Sequence, residues 1–233
     1  MLLACAVAPA MGYWTQYRPR PNAPWPEDQG WERITWYGGA ERKIEDGALV
    51  LDSTGHNAIV DYYVMYAPGM IHAEPEHPFA LQWGVRVDYS NSAVAVGVGL
   101  FSDDRWGLGF NVALDRIYDI YAYPKSATFE PGWHVFRMTT TDMRSYVLAI
   151  DGVDAMSGLF EYDSGFTPSN VGWGDTIEGG LSVSRWSFAG FGTVPKPSAM
   201  QGLGIVPEPT AMFGVLSMPA LVLRALRRGR AGL

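Results

Sequence analysis

A regular alternation of large and small side chains between residues 79 and 114 constrains the fold more than any other feature of this sequence. Over residues 79–89 every second residue is large and apolar, and the residues between them are small or polar. The segments 94–101 and 106–114 repeat the pattern. A period of two places alternate side chains on opposite faces of a β-strand. We therefore predict three strands, each with a bulky face in the core and a small or polar face away from it.

Composition and turn signals extend this prediction to the whole body of the chain. Hydrophobic residues make up 48% of the sequence, enough to fill a core, whereas 27 glycines and 16 prolines interrupt it too often for long helices. Asp-Gly pairs at 46–47 and 151–152 indicate hairpin turns. Further strands are predicted at 31–37, 48–52, 58–65, 117–123, 133–138, 146–152 and 180–191. About ten short strands without a helix predict an all-β protein of two packed antiparallel sheets.

Charge and cysteine content exclude some classes of protein. The formal net charge is −7, and it is four charges more negative when the four arginines of segment 210–233 are set aside. Such an acidic body repels phosphate backbones, which argues against a nucleic-acid partner. Cys5 is the only cysteine, so no intramolecular disulfide can form.

The first thirty residues divide into two segments. Residues 1–12 are apolar and uncharged and contain small-x-small patterns ending at Ala8 and Ala10. We interpret them as the remnant of a secretory signal peptide, cleaved after Ala10. A weak lipobox-like pattern ending at Cys5 leaves a lipid anchor open as an alternative. Residues 13–30 are rich in proline and aromatic residues without periodicity, and we predict an extended lead-in.

The C-terminal segment 206–233 has three parts in a fixed order. Val206, Pro207, Glu208 and Pro209 come first, and an uncharged apolar stretch follows. The segment ends with an arginine cluster: Arg224, Arg227, Arg228 and Arg230. A helix of about fourteen apolar residues is roughly 21 Å long, so we predict a short transmembrane helix. The arginines would hold its end on the cytoplasmic side as a stop-transfer signal. The alternative is a buried hairpin helix followed by a basic tail.

This order of motif, apolar helix and arginines closely resembles the PEP-CTERM sorting signal of exported bacterial proteins. The resemblance covers only about the last 28 residues. It implies recognition by an exosortase, a membrane-embedded transpeptidase thought to cut near Pro-Glu-Pro. It also implies that the protein is held in the membrane by its C-terminal helix before processing, and is then passed to the cell surface or extracellular matrix.

The body, residues 31–192, resembles a second family. Its pieces at 46–52, at 133–137 with 148–152, and at 181–186 are similar to those of the concanavalin A-like lectin and glucanase jelly roll, including laminin-G-like members. The resemblance implies a two-sheet jelly-roll sandwich. Residues 193–205, rich in Pro, Gly and Ser, are predicted to be a linker to the C-terminal signal.

The sequence lacks the spacing of carboxylates that the resembling enzymes use for catalysis. Retaining glucanases need paired carboxylates, which the resembling enzymes carry as Glu-x-Asp-x-(x)-Glu, and no such spacing occurs here. We therefore predict no catalytic residues and no enzyme activity, with a glucanase-type hydrolase as the less favoured alternative. His134 is predicted to pack within its hairpin. The segment 72–77, with two histidines and two glutamates, is either a zinc site or, as we favour, a solvated loop.

The small-residue face suggests a place for a ligand. Its glycines are predicted to form one trough: Gly84, Gly97, Gly99, Gly107 and Gly109. Gln82, Arg86 and Asn111 offer hydrogen bonds to a sugar, and Trp186, Tyr118 or Tyr121 offers an aromatic plate. The alternative is a solvated face without a ligand.

Calcium is the one cofactor that the sequence leaves open. Asp103, Asp104 and Asp115 could hold it at the sheet edge, as in some laminin-G-like domains, although acid pairs in loops are usually solvated. No other cofactor is predicted. The sequence thus favours a non-catalytic exported surface or matrix protein that engages polysaccharide. A purely structural or adhesive surface protein is the second possibility.

Overall fold

The computed structural model describes residues 13–36, 38–55, 60–92, 94–121, 125–162, 168–175 and 181–194. Sixteen strands run through these residues, together with one three-residue helical turn at Glu27–Gln29. The strands are β1 (Trp14–Tyr17), β2 (Glu32–Trp36), β3 (Glu41–Glu45), β4 (Ala48–Asp52), β5 (Val60–Tyr66), β6 (Phe79–Ser90), β7 (Val96–Phe101), β8 (Trp106–Val112), β9 (Arg116–Asp119), β10 (Ser126–Thr128), β11 (His134–Thr140), β12 (Ser145–Ile150), β13 (Val153–Leu159), β14 (Glu161–Tyr162), β15 (Asn170–Asp175) and β16 (Ser182–Thr193).

The strands form two antiparallel sheets of eight strands each. Sheet 1 has the order β13-β12-β11-β6-β16-β4-β3, and β1 pairs with β16 beside β4. Sheet 2 has the order β10-β9-β8-β7-β15-β5-β2, and β14 pairs with β8. The all-β, two-sheet prediction is therefore confirmed for the body of the chain.

The alternating segments behave as their pattern predicted. They form β6, β7 and β8, and their large residues Trp83, Val98 and Phe110 are completely buried. The pattern ends where the strands leave the core, so Tyr89 and Leu114 are exposed. Both predicted Asp-Gly turns are also present, with positive φ at each of their residues, as a two-residue hairpin turn requires.

Aromatic side chains join the two sheets. Trp173 of sheet 2 lies 4.8 Å, between ring centroids, from Trp186 of sheet 1 and 5.3 Å from Tyr17, also of sheet 1. Further along, Trp83 of sheet 1 lies 5.9 Å from Phe110 of sheet 2. Pairs of this kind stabilise a fold by about 0.5–1.5 kcal/mol each beyond the area they bury. The core is therefore an aromatic layer between the bulky faces of the sheets.

The predicted lead-in at 13–30 contains a strand and belongs to the sandwich. β1 pairs with the second half of β16, and Tyr17 is fully buried in the core. The Tyr17 hydroxyl donates to the carbonyl oxygen of Pro24 at 2.9 Å, which ties the proline-rich segment down. The start of the predicted linker also differs, because Thr193 ends β16 and the Val194 amide bonds to the Pro78 carbonyl.

The predicted terminal signals lie outside the described residues. This applies to the signal-peptide remnant at 1–12, to the Val206, Pro207, Glu208 and Pro209 motif, and to the helix and arginines that follow it. Within the described ranges no helix has the length and apolar character needed to cross a membrane.

Candidate functional site

The predicted trough is divided between the two sheets. Gln82, Gly84 and Arg86 lie on β6 in sheet 1, whereas Asn111 and the other glycines of the predicted trough lie on β7 and β8 in sheet 2. Because the sheets pack through their bulky faces, their small faces point in opposite directions. Alternation along a strand identifies a face but not the sheet that carries it, which is why one trough was predicted where there are two surfaces.

Trp186 is not part of either surface. Its side chain is fully buried, and its indole Nε1 donates to Ser184 Oγ at 3.0 Å inside the core. It cannot stack on a sugar in this structure. Tyr118, one of the alternatives, pairs in register with Asn111 on the neighbouring strand, so these two side chains share the outer face of sheet 2. Tyr121 approaches the same face, since its hydroxyl lies 3.4 Å from where a Cβ on Gly107 would be.

Five glycines form the floor of the outer face of sheet 2. Gly99 of β7 is in register with Gly109 of β8 and with Gly172 of β15, and Gly97 is in register with Gly174. Gly172 and Gly174 were missed because no strand was predicted at 170–175. The alternation of glycine with Val171, Trp173 and Asp175 was the available signal. We call this surface the glycine floor.

Asn111 is the polar group of the glycine floor. It is in register with Gly97 on one side and Tyr118 on the other, and only 7% of its surface is exposed. Its carbonyl oxygen Oδ1 is buried and has no hydrogen-bond partner in the part of the chain that the structure describes. A buried polar atom left unpaired costs about 1–3 kcal/mol, so a ligand hydroxyl that reached this oxygen would satisfy it.

A tyrosine lies beyond the glycine floor on the far strand. Tyr62 of β5 is in register with Gly174 and is almost completely buried. Burial raises the pKa of the Tyr62 phenol well above its ordinary value, so the group is neutral near pH 7. The face therefore has a floor of buried glycines between tyrosines on β9 and β5. Asn111 lies beside Tyr118, and a second amide, Asn170, lies on the same face at the start of β15.

The outer face of sheet 1 carries the other two predicted ligand residues. Gln82 is 5% exposed and lies beside Arg137 of β11. Arg86 is already engaged, because its Nε donates to Asp88 Oδ1 at 2.5 Å and its guanidinium lies 5.7 Å from the ring centre of Trp133. Arg86 is thus part of a charge network, whereas Gln82 makes no hydrogen bond through its amide to the described chain.

That charge network crosses four strands on the outer face of sheet 1. Arg185 of β16 donates to Asp88 at 2.6 Å and to Glu45 of β3, and Lys43 donates to Glu45 at 2.8 Å. Burial raises the pKa of Asp88, but the hydrogen bonds from Arg86 and Arg185 outweigh it and hold that pKa below its ordinary value. The hydrogen bonds from Lys43 and Arg185 likewise lower the pKa of Glu45. We call these residues, with Arg86, the ionic ladder.

A separate cleft of about 520 Å³ lies where the β11–β12 hairpin meets β13. Hydroxyl groups line much of it, with apolar patches from Val147 and Leu159 and one ammonium group from Lys125. Its serine and threonine residues are Thr139, Thr140, Thr141, Ser145 and Ser157. None of the predicted ligand residues lines this cleft.

Two histidines, His134 and His77, are placed in structural contacts. His134 Nδ1 lies 2.7 Å from Asp151 Oδ2, and its Nε2 lies 2.6 Å from the Glu130 carbonyl oxygen, so both ring nitrogens are occupied. Its ring also packs 4.6 Å from that of Phe129, which agrees with the predicted packing role. In the segment 72–77, His77 Nδ1 lies 3.8 Å from Glu74 Oε2.

The acids considered as calcium ligands do not come together at one site. Asp103 accepts hydrogen bonds from the amides of Gly69 at 2.7 Å and Ile71 at 3.0 Å, and from Ser169 Oγ at 2.6 Å, so it organises a loop. Asp115 lies beyond the opposite end of β8, a strand about 20 Å long. In the part of the chain that the structure describes, no three potential ligands gather as a metal site would require.

Comparison with known proteins places the fold but gives no closer relationship. No protein-family model matches the chain, and no curated protein sequence is similar to it. A carbohydrate esterase of the Shiga toxin-encoding bacteriophage phi24B superposes with a TM-score of 0.57 at 10% identity, covering 78% of this chain and 98% of its own. Peanut lectin superposes with a TM-score of 0.52 at 9% identity, covering 79% and 98%. The body thus shares the two-sheet jelly-roll fold of these two proteins.

Proposed function

We propose that this protein is a non-catalytic carbohydrate-binding protein and that a sugar lies on the glycine floor. The observation that carries the proposal is the Oδ1 of Asn111, which is buried without a hydrogen-bond partner among the described residues and lies beside Gly97. The glycines of the floor are themselves buried, so the sugar would enter by displacing the contacts that cover them. A sugar hydroxyl would donate to that oxygen, and a sugar face would pack on the ring of Tyr118. A fold shared with peanut lectin and a phage carbohydrate esterase supports this class of ligand, without identifying the sugar.

The test of the glycine floor is a glycan array followed by isothermal titration of the best ligand. We expect Asn111→Ala to weaken binding at least fivefold, because the lost hydrogen bond and the buried polar surface are together worth about 1–3 kcal/mol. Asn22→Ala is the matched control, since Asn22 is exposed in a turn near the N-terminus. Tyr118→Phe should bind and Tyr118→Ala should not. Equal binding by wild type and Asn111→Ala would contradict the proposal, and retention on no glycan would favour a structural or adhesive role.

Export through the C-terminal signal is the second part of the proposed function. Its support is the order of the Val206, Pro207, Glu208 and Pro209 motif, the apolar stretch and the four arginines in the sequence. An exosortase would act at this motif and release the sandwich to the cell surface or matrix. We expect replacement of Glu208, or of all four arginines, to cause mis-sorting in fractionated cells. Unchanged surface delivery of both variants would contradict this part alone.

A further inference from the structure

The outer face of sheet 1 carries a row of residues that crosses four strands, with side chains on three of them. Arg137 of β11 is in register with Gln82 of β6, Gln82 with Gly190 of β16, and Gly190 with Gln16 of β1. Their neighbours along each strand are core residues, so the row projects away from the core: Phe136, Met138, Leu81, Trp83, Ala189, Phe191 and Tyr17. Three strand intervals of about 4.8 Å make the row about 14 Å long.

Arg137 in this row lacks the counter-charge that Arg86 and Arg185 have on the same face. Its Nε is buried without a hydrogen-bond partner, and across the described residues no carboxylate pairs with it. On the same face, Arg86 and Arg185 both contact Asp88. Burial lowers the pKa of Arg137, as desolvation of a cation without a partner should. Because the chain has 24 acidic residues, a shortage of acids does not explain this.

Unpaired donors also lie at the far end of the row from Arg137, on β1 and just after it. The guanidinium of Arg18 lies 5.6 Å from the ring centre of Phe188, and its buried Nε has no partner. The buried Nε1 of Trp14, on the same outward face of β1, has none either. Gln82 adds a nearly buried amide between these groups and Arg137. A ligand that satisfies this face must present acceptors, and a planar guanidinium matches a carboxylate.

We propose that the outer face of sheet 1 binds an acidic polysaccharide, with Arg137 and Gln82 receiving a sugar carboxylate. The chain of sugars would run along the row toward Gln16, with Arg18 and Trp14 on either side of its path. Side-chain donors on three of the four strands of a row about 14 Å long suit an extended polymer better than a single small anion. Gln82 and Gly190 in the middle of the row are buried, so the polymer would displace the contacts that cover them. The ligand class rests on the proposed function, but the site is on the opposite sheet from Asn111, so the two proposals can fail separately.

The test measures binding of the full chain to polygalacturonate and to alginate at physiological ionic strength, with dextran as neutral polymer and poly-glutamate as acidic peptide. We expect wild type to bind at least one polyuronate but neither dextran nor poly-glutamate. Arg137→Gln should weaken polyuronate binding at least tenfold. Arg137→Lys should restore little of that binding, because an ammonium group lacks the paired donors with which a guanidinium binds a carboxylate. Arg20→Gln, which removes one positive charge at an exposed residue, should change binding less than twofold.

Two further controls separate a loss of polyuronate binding from a loss of folding and from a change at the sugar site of sheet 2. We expect Arg137→Gln to unfold at or above the wild-type temperature, since it removes a desolvated charge without a partner. Asn111→Ala should bind polyuronate like wild type. Equal losses for Arg137→Gln and Arg20→Gln would reduce the effect to net charge and overturn the proposal. Absence of polyuronate binding, or equal binding of poly-glutamate, would overturn it as well.

Discussion

At the scale of single residues, Asp61 is the buried acid on which the β2–β5 pair depends. Its side chain is fully buried, yet it accepts from Arg33 Nε at 2.9 Å, from Arg33 Nη2 at 2.5 Å and from the Ala40 amide at 2.8 Å. The fork of a guanidinium fits the two carboxylate oxygens, and the amide uses the remaining acceptor capacity. Each polar group of this cluster therefore depends on one carboxylate.

Removing the charge of Asp61 should destabilise the folded protein. We expect Asp61→Asn to lower the free energy of unfolding by about 3 kcal/mol, because Arg33 would lose its only carboxylate in a largely buried setting. Urea denaturation at pH 7 measures the change. Glu32→Gln is the control, since Glu32 is an exposed acid of the same strand pair and should change stability by less than about 0.5 kcal/mol. A loss for Asp61→Asn no larger than that of the control would show that the pair contributes little.

At the scale of strands, the sequence predicts elements well where one face is bulky and poorly where it is not. β6, β7 and β8 were evident because their large residues alternate. β15 escaped because glycine fills its outer positions, and β3 because charged residues dominate an edge strand. β1 was hidden in a proline-rich segment, and only its pairing with β16 makes it a strand.

The candidate sites depend on information that a single strand does not contain. Asn111 and Gln82 were both predicted as ligand residues, but their separation onto opposite faces follows from sheet order. Arg137 was not singled out, because the sequence does not show which arginines find an acid. Trp186 was misplaced for a related reason. Its strand has a register shift between Trp186 and Phe188, which changes which side chains face the core.

The ionic ladder links strands that are far apart in sequence, and its strength should depend on pH. Asp88 and Glu45 have pKa values held below their ordinary values, so their contribution is complete above the unfolded values of about 4. It is lost as the pH falls through the lower folded values. We expect Arg185→Gln to lower the urea midpoint at pH 6 by less than Asp61→Asn does.

Measurements at acidic pH distinguish stabilisation by the charges of the ionic ladder from stabilisation by packing. As the pH falls from 6 to below 4, the difference in urea midpoint between wild type and Arg185→Gln should shrink, because the protonated acids no longer need the guanidinium. Arg20→Gln, at an exposed position, should follow wild type at every pH. A difference that stays constant between pH 6 and pH 2.5 would mean that Arg185 stabilises through its aliphatic stem.

At the scale of the whole molecule, buried tyrosines limit the pH range over which the sandwich stays folded on the alkaline side. Burial raises the pKa of Tyr63 to about 12, and burial also raises those of Tyr17 and Tyr146. Tyr17 lies against the central Trp173, and Tyr146 donates to the buried Asp119. Neither phenol can ionise without opening the core. A folded pKa above the unfolded value of about 10 gives stability that is present below pH 10 and lost as the pH rises further.

Phenolate absorbance and tryptophan fluorescence, followed together from pH 8 to 13, test this limit. We expect a first rise in absorbance, near the ordinary tyrosine pKa of about 10, to leave the fluorescence native. The buried tyrosines should ionise in a second step that coincides with loss of the native fluorescence, because ionisation and opening of the sandwich are one event. If all twelve tyrosines of the chain ionised near pH 10 before the fluorescence changed, the core would be open to solvent. The aromatic layer could then not be what holds the two sheets together.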